Sequence, residues 1–205
     1  MTTIRVPQEE RTRAMRQRLL EATVQCLSEH GWSGTSTTLV SQRAGVSRGA
    51  QLHHFPTKND LVVAAVEHLA TVRRDELAQA AADLPDGPGR TRAVLQMLGE
   101  HFTSDVFAAA LELWVAARSD EALLAALVPF ERVTGRETHK LTVEMLDADE
   151  SQPGARELVQ ATLDLIRGLG LANTISNNDQ ARRARILDRW AVVLEDELPR
   201  TKEKR

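Results

Sequence analysis

Apolar residues along this chain recur at intervals of three and four residues, and no segment alternates convincingly between apolar and polar positions. This spacing places apolar side chains on one face of an α-helix. Between residues 9 and 30, Met15, Leu19 and Cys26 mark one such stripe. Gly31 follows it, and a glycine at that place predicts a left-handed cap that ends the helix.

Glycine, proline and hydroxyl residues divide the next part of the chain. The sequence predicts short helices over residues 36–44 and 47–54 and a long helix over residues 57–82. Gly45 breaks the first, and Pro56 closes the second because it biases the residue before it away from helical angles. Side chains suited to N-capping stand at the expected places: Thr35 or Ser36, Ser47, and Thr57 with Asp60 three residues further on.

The clearest loop is residues 83–91, which hold two prolines and two glycines. Beyond it, apolar periodicity predicts helices over residues 90–102, 104–118, 120–147, 153–176 and 179–198, and Pro129 is expected to kink the third of them. We therefore predict an all-α fold of about nine helices. It comprises an N-terminal three-helix helix-turn-helix domain over residues 1–58 and a larger helical domain over residues 59–205.

The composition is that of an ordinary globular protein, since 42% of the 205 residues are hydrophobic and 27% are charged. The chain has no run of about 18 apolar residues, and its N-terminal segment lacks the apolar core of a signal peptide. The single cysteine, Cys26, cannot form a disulfide within the chain. We expect a cytoplasmic protein with no membrane partner and no cofactor.

Charge is distributed unevenly. Residues 1–60 contain eight basic and five acidic residues, whereas the remainder contains 18 basic and 24 acidic residues. A basic front and an acidic back suggest that only the front meets a polyanion, although a difference of this size is common.

Residues 35–55 combine two short helices with a turn at Gly45 and Val46. A short helix, a glycine-containing turn and a second helix form the helix-turn-helix pattern. Val40, Ala44 and Val46 can pack beneath the turn. The second helix would then present its N-terminal residues to a major groove.

Two cations strengthen this interpretation. Arg48 and Lys58 stand in the first turns of neighbouring helices, where a cation opposes the helix dipole by about 0.3–1 kcal/mol. Their placement is easier to understand if phosphate lies in front of both. The alternative is that they are solvated surface charges, and the hydroxyl cluster at residues 35–38 argues against it.

His53 and His54 are adjacent, so their side chains leave a helix about 100° apart and cannot easily chelate one ion. No cysteine or histidine stands at partner spacing, and no metal site is expected. Each histidine can donate to a phosphate or a base edge, although one of them is expected to pack on the helix core.

The motifs from Gly31-Trp32 to Lys58 resemble the signature domain of the TetR family of regulators. The shared pattern reads G-aromatic, T-[ST], A-G-V-S-[KR]-G, H-[HW]-F and [ST]-K, in order and spacing. The resemblance is dense over about residues 14–67 and only architectural beyond. It implies DNA contacts from Thr37, Ser47, Arg48, Gly49, Ala50, His53, His54 and Lys58.

One pair departs from the family pattern. The family usually has Leu-Tyr before the histidines, with leucine in the core and tyrosine on a phosphate, whereas this chain has Gln51-Leu52. Leu52 cannot donate a hydrogen bond. Gln51 is a candidate for a base or phosphate contact, or sits at the edge of the core. Ala50 replaces a common threonine and offers only a methyl group to a thymine.

The resemblance also implies a dimer and a bound inducer. The last two predicted helices are apolar over more than one stripe, as helices of a four-helix dimer interface are, and the alternative is internal core. The candidate interface residues are Leu158, Thr162, Leu165, Ile166, Leu187, Trp190 and Leu194. A helix-turn-helix that reads a palindrome needs two copies.

Most of the few aromatic residues lie in the middle helices, with polar residues nearby, which is typical of an apolar ligand pocket. Plain core is an equally good explanation for any single one. The candidate ligand residues are His101, Phe107, Trp114, Arg118, Phe130 and His139.

The leading hypothesis is a transcriptional repressor that a small apolar effector releases from palindromic double-stranded DNA. The alternative is a DNA-binding architectural or cell-division protein of the same fold that has no inducer. An enzyme is not expected, because the sequence has no Gly-rich phosphate loop, G-x-S-x-G or H-E-x-x-H motif.

Overall fold

The computed structural model describes residues 8–175 and 180–201. Nine α-helices are found in these ranges: α1 (Gln8–Gly34), α2 (Thr37–Ala44), α3 (Arg48–His54), α4 (Lys58–Ala80), α5 (Arg90–His101), α6 (Asp105–Ala117), α7 (Glu121–Met145), α8 (Ala155–Ile175) and α9 (Gln180–Glu197). A 3-10 turn, Ala81–Asp83, follows α4. The predicted all-α fold is confirmed. No helix in the described ranges combines the length and the apolar character that crossing a membrane requires.

The helix ends are closed largely as the sequence predicts. Gly45 has φ 63° and ψ 37°, and its N–H donates to the carbonyls of Gln42 and Ser41 at the end of α2. The Ser36 hydroxyl accepts the Leu39 N–H at 3.2 Å and caps the start of the same helix. Each group satisfies backbone atoms that a helix end leaves unpaired.

The start of α4 is closed by a reciprocal capping box. The Thr57 N–H donates to an Asp60 carboxylate oxygen, and the Asp60 N–H donates to the Thr57 hydroxyl, both at 3.1 Å. α7 runs through Pro129 as one helix. The kink expected at that residue stays a prediction.

Gly31 does not end α1 in the way a simple cap would. It has φ 64° and ψ −176°, which is a break in the helix, and one further turn follows as far as Gly34. Only glycine adopts such angles without strain. The break therefore lies where the sequence predicts it, and the helix resumes beyond it.

The chain forms two compact units. The first comprises the residues up to Thr71 together with Ala109–Phe130. In it α1 packs against α2, and α2 packs against α3. Its fully buried side chains include Leu19, Leu20, Leu27, Val40, Leu61, Leu113 and Leu123.

The second unit comprises Val72–Ala108 and Glu131–Arg205. In it α5 packs against α9 and α8. Its buried side chains include Leu95, Leu98, Met145, Leu146, Leu163, Ile166 and Leu194. The units are defined by packing, and the predicted boundary between functional domains after residue 58 stays a prediction.

Four of the seven candidate interface residues belong to the internal core, which corrects the sequence-based assignment. Ile166, Leu187 and Leu194 are at most 7% exposed within a single chain. Thr162 is fully buried, and its hydroxyl accepts the Trp190 indole N–H at 2.9 Å. Apolar periodicity identifies helix faces that are buried, but it does not say whether the covering surface comes from the same chain.

The remaining three candidates are partly exposed: Leu158, Leu165 and Trp190. Leu165 and Trp190 line a groove of about 430 Å³ on the outside of α8 and α9. The apolar floor of this groove is flanked by Arg182, Arg185 and Arg189.

α8 packs closely against Phe102 and Phe107 at Gly170. A Cβ atom on Gly170 would be 2.2 Å from the Phe102 carbonyl oxygen and 2.6 Å from the Phe107 ring. Gly168 lies one half-turn away in α8, and a Cβ atom there would meet nothing within 4 Å. The helix therefore approaches Phe102 and Phe107 closely at Gly170 and has open space at Gly168.

We predict that Gly170→Ala lowers the free energy of unfolding by about 1–3 kcal/mol, since backbone and a packed ring must move to admit the methyl group. The matched control is Gly168→Ala, for which we expect no loss or a gain of up to about 1 kcal/mol from helix propensity. Urea denaturation followed by circular dichroism measures both. Equal effects of the two substitutions would contradict the packing described for Gly170.

Candidate nucleic-acid interface

The turn between α2 and α3 rests on buried apolar side chains. Val40, Ala44 and Val46 are at most 9% exposed. The Val46 N–H donates to the Ser41 carbonyl at 3.0 Å, which continues the path of the chain around the Gly45 turn. These contacts hold the start of α3 at a fixed position relative to α2 in the first unit.

The N-terminus of α3 is open to solvent. Ser47 is the N-cap, and its hydroxyl accepts the Ala50 N–H at 3.2 Å. Ser47, Arg48 and Gly49 are all exposed, and Thr37 at the start of α2 is half-buried. The exposed turn thus combines a hydroxyl, a guanidinium and the positive end of a helix dipole, which is a combination suited to an anion.

Gly49 is not required by the protein's own packing. It lies in regular helix, and a Cβ atom built on it would meet nothing within 4 Å. Glycine weakens a helix relative to alanine by about 0.5–1 kcal/mol. Gly49 therefore costs helix stability, and no close contact in the described part of the chain requires it.

Gln51 does not belong to this surface, and the structure corrects its assignment as a DNA contact. Its side chain is fully buried, and its Nε2 donates to the Phe55 carbonyl at 2.7 Å. Its Oε1 is buried and accepts no hydrogen bond from the described residues. The alternative interpretation, that Gln51 sits at the edge of the core, is closer to the structure, which buries the side chain completely. Its neighbour Leu52 is 44% exposed.

The two histidines at the end of α3 are in different environments. His53 is exposed, whereas His54 is half-buried. Their rings are edge to face with centroids 5.5 Å apart, and the His54 ring lies 6.4 Å from that of Phe55. His54 therefore packs partly on the protein, while His53 faces solvent beside Gly49. The described residues contain no cluster of His, Cys, Asp and Glu suited to a metal ion.

Lys58, at the start of α4, makes two contacts with Trp32. Its Nζ donates to the Trp32 carbonyl at 2.5 Å and lies 3.9 Å from the centroid of the indole ring. Burial lowers the pKa of the Lys58 amine. The Trp32 backbone N–H donates in turn to a Glu112 carboxylate oxygen at 3.2 Å. Sequence reasoning missed this arrangement, because nothing in the local pattern relates Glu112 to Trp32, 80 positions earlier.

The candidate ligand residues are divided between the two units. In the second unit, Phe102 lies between His101 and Phe107, with ring centroids 5.2 and 5.1 Å away. Burial, more than the nearby Arg73 guanidinium, lowers the pKa of His101 and so favours its neutral form. His139 Nε2 is 2.6 Å from a Glu150 carboxylate oxygen, and its buried Nδ1 has no hydrogen-bond partner among the described atoms.

The other three candidates belong to the first unit. Trp114 and Phe130 are half-buried, and Arg118 is exposed. Assignment of the six residues to a ligand site stays a prediction.

Comparisons with known proteins agree with the geometry of α2 and α3. The family profile described as "Bacterial regulatory proteins, tetR family" matches residues 19–65, which include both helices. The HTH-type transcriptional regulator CymR of Pseudomonas putida is 30% identical over 192 residues, covering 91% of this chain and 92% of CymR. An uncharacterized HTH-type transcriptional regulator of Mycobacterium tuberculosis is 30% identical over 162 residues, covering 79% of this chain and 80% of that protein.

The fold is shared with solved structures of regulators. One is a transcriptional regulator from Saccharomonospora viridis in complex with choline. Its TM-score is 0.69 at 16% identity, with 93% of this chain and 98% of that chain covered. These relatives are regulators and not enzymes. The profile match on the helix-turn-helix and the near full-length likeness to CymR establish that this chain belongs to the TetR family of bacterial DNA-binding transcriptional regulators.

Proposed function

We propose that this protein is a cytoplasmic, dimeric repressor that binds a palindromic operator through α3 and leaves it when a small apolar effector binds. The observation that carries the proposal is the exposed first turn of α3. There an N-cap serine, an arginine and a glycine with open space in front of it stand together. A helix presented in this way matches the recognition helix of helix-turn-helix proteins, whose N-terminal residues meet the base edges.

Each residue on the exposed side of α3 would make a different contact with DNA. Arg48 supplies a charge for a phosphate or for the O6 and N7 atoms of a guanine. Gly49 removes the side chain that would keep the helix away from the groove wall. Ala50 is half-buried and offers a methyl group to a thymine, and His53 can donate to a base edge or phosphate.

Two copies would be joined through the partly exposed residues of α8 and α9. Leu158, Leu165 and Trp190 form the apolar centre of the proposed interface, and the arginines of the groove lie at its side. A symmetric dimer places two recognition helices about 34–36 Å apart, one turn of DNA, and so reads a palindrome.

The effector proposal rests on the aromatic cluster of the second unit. Phe102 and Phe107 are buried and would form rigid apolar walls of the site, and a neutral His101 beside them can exchange one hydrogen bond with an uncharged ligand. The regulator from S. viridis is in complex with choline, a small quaternary ammonium cation, so a protein of this fold can hold a small molecule.

We predict that Gly49→Ala leaves the melting temperature unchanged or slightly raised and weakens operator binding by about tenfold or more. The added methyl group stabilises the helix by up to about 1 kcal/mol but occupies the space that DNA must enter. Gly168→Ala is the matched control, because it adds the same methyl group to an exposed helix position on α8. Electrophoretic mobility shift and thermal denaturation measure the two effects. Undiminished DNA affinity of the Gly49 variant would place the DNA on another face.

We predict that Leu165→Lys converts the dimer to monomers at micromolar concentration and weakens operator binding. A buried ammonium in an interface costs several kcal/mol, and the three arginines of the same groove repel it, whereas Leu165 is only partly covered in its own chain. Gln160→Lys adds the same charge to an exposed position on another side of α8 and should leave the dimer intact. Sedimentation velocity is the measurement. A wild-type monomer at this concentration would refute the dimer proposal.

We predict that a screen of apolar metabolites by thermal shift identifies compounds that also lower operator affinity by one to two orders of magnitude. A coupling free energy of about 1–3 kcal/mol suffices for this effect. Phe107→Leu should reduce the response to the compound while leaving DNA binding intact. Compounds that stabilise the protein without affecting DNA binding would favour the alternative, an architectural DNA-binding protein without an inducer.

A further inference from the structure

Leu52 lies within the exposed face of α3. Its side chain is 44% exposed. It follows Arg48 by four positions and Gly49 by three, so the helix places it one turn further along on the side that those two residues share. Gln51 leaves the helix about 100° away from Leu52 and is fully buried. Leu52 therefore belongs to the same surface as the exposed first turn of α3.

The burial of its neighbour distinguishes Leu52 from an ordinary surface leucine. A single exposed leucine is common and does not by itself indicate a binding site. Here, however, the polar Gln51 occupies the core, and its Oε1 accepts no hydrogen bond from the described residues. The opposite order, with leucine inside and an amide outside, would bury more apolar surface and leave no amide oxygen unsatisfied. Stability of the isolated protein therefore does not account for a leucine at position 52.

The surface around Leu52 is suited to a polyanion. Residues 30–59 contain no aspartate or glutamate and three lysines or arginines. Ser47, Arg48 and His53 are exposed on α3 together with Leu52. Surroundings of this charge favour a nucleic acid, and not an apolar protein surface, as the molecule that covers the leucine.

DNA offers one apolar group that matches this side chain. Among the groups that base pairs present in the major groove, the 5-methyl group of thymine is the apolar one. Leu52 carries no side-chain donor or acceptor, so it gains nothing from a phosphate oxygen or the polar edge of a base. A methyl group packed against it would leave water together with leucine surface that is exposed in the free protein. The open space at Gly49 allows the helix to approach the base edges closely enough for this contact.

We propose that Leu52 is a specificity-determining residue of the recognition helix and that it reads a thymine of the operator through the 5-methyl group of that base. The inference rests on the proposed function, namely that α3 enters the major groove.

Substitution of deoxyuridine for thymidine tests the contact directly, because it removes the methyl group and keeps the hydrogen-bonding groups of the base. The probe is a duplex selected in vitro from a random library by the wild-type protein. Each thymine is replaced in turn, at the same position of both half-sites. The affinities of the wild type and of Leu52→Ala are then measured for every duplex by fluorescence anisotropy.

We expect one thymine position at which the substitution weakens wild-type binding by about fourfold per half-site, which corresponds to about 0.8 kcal/mol for one buried carbon group. Leu52→Ala should bind the unmodified duplex at least as weakly as the wild type binds that substituted duplex. At the same position, deoxyuridine should cause no further loss for Leu52→Ala, because the two changes remove the same contact. Losses at other thymines, including any read by Ala50, should be equal in the two proteins.

Leu124→Ala is the matched control. Leu124 is 47% exposed on α7 in the same unit, so the variant loses the same atoms from a similarly exposed side chain. It should bind every duplex like the wild type. Both variants should melt close to the wild-type temperature, because neither leucine is buried.

Three results would overturn the inference while leaving the proposed function intact. The first is a set of selected duplexes whose half-sites share no thymine. The second is wild-type binding that no deoxyuridine substitution weakens, a result that does not depend on the folding of any variant. The third is an equal loss in the wild type and in Leu52→Ala at every thymine, which would place Leu52 against the sugar-phosphate backbone or away from DNA. Failure of the wild-type protein to enrich any duplex would overturn the proposed function itself.

Discussion

A seven-residue helix is too short to persist in water by itself, and the recognition surface of this protein is carried by such a helix. α3 is held at its start by the Ser47 cap and at its end by the buried Gln51 and Phe55. The exposed first turn follows the buried Val46, whose N–H donates to the Ser41 carbonyl. The directions of Arg48 and Gly49 are therefore set from both ends of the helix, by the turn before it and by what its far end packs against.

At the far end of α3, two neighbouring residues have the opposite burial from that expected of their polarity. Gln51 is fully buried and closes the end of α3 through the Phe55 carbonyl, while the apolar Leu52 faces solvent. A buried amide oxygen without a donor costs about 1–3 kcal/mol. The order found in the family, apolar inside and polar outside, is reversed here. The first unit therefore keeps a polar group in its core and an apolar group on its exposed recognition helix.

Local features of this fold could be predicted from the sequence, and features that depend on distant residues could not. Gly45, Ser47 and the Thr57-Asp60 pair were identifiable because a helix end is decided by the few residues around it. The burial of Gln51 does not follow from the sequence, because a helix of two turns has no periodicity long enough to define its inner face. The apolar stripes of α8 and α9 follow from the sequence. The surface that covers Ile166 and Leu194, however, belongs to the same chain and not to a second copy.

The three tryptophans of this chain lie in three unlike environments, which makes each of them a separate spectroscopic reporter. The Trp32 indole carries an ammonium on its face, the Trp190 indole donates to a buried hydroxyl, and Trp114 is half-buried on α6. Indole emission depends on the local electric field and on hydrogen bonding at its nitrogen. Variants that keep one tryptophan at a time would therefore resolve events at the start of α4, between α8 and α9, and along α6 as independent optical signals, without an added label.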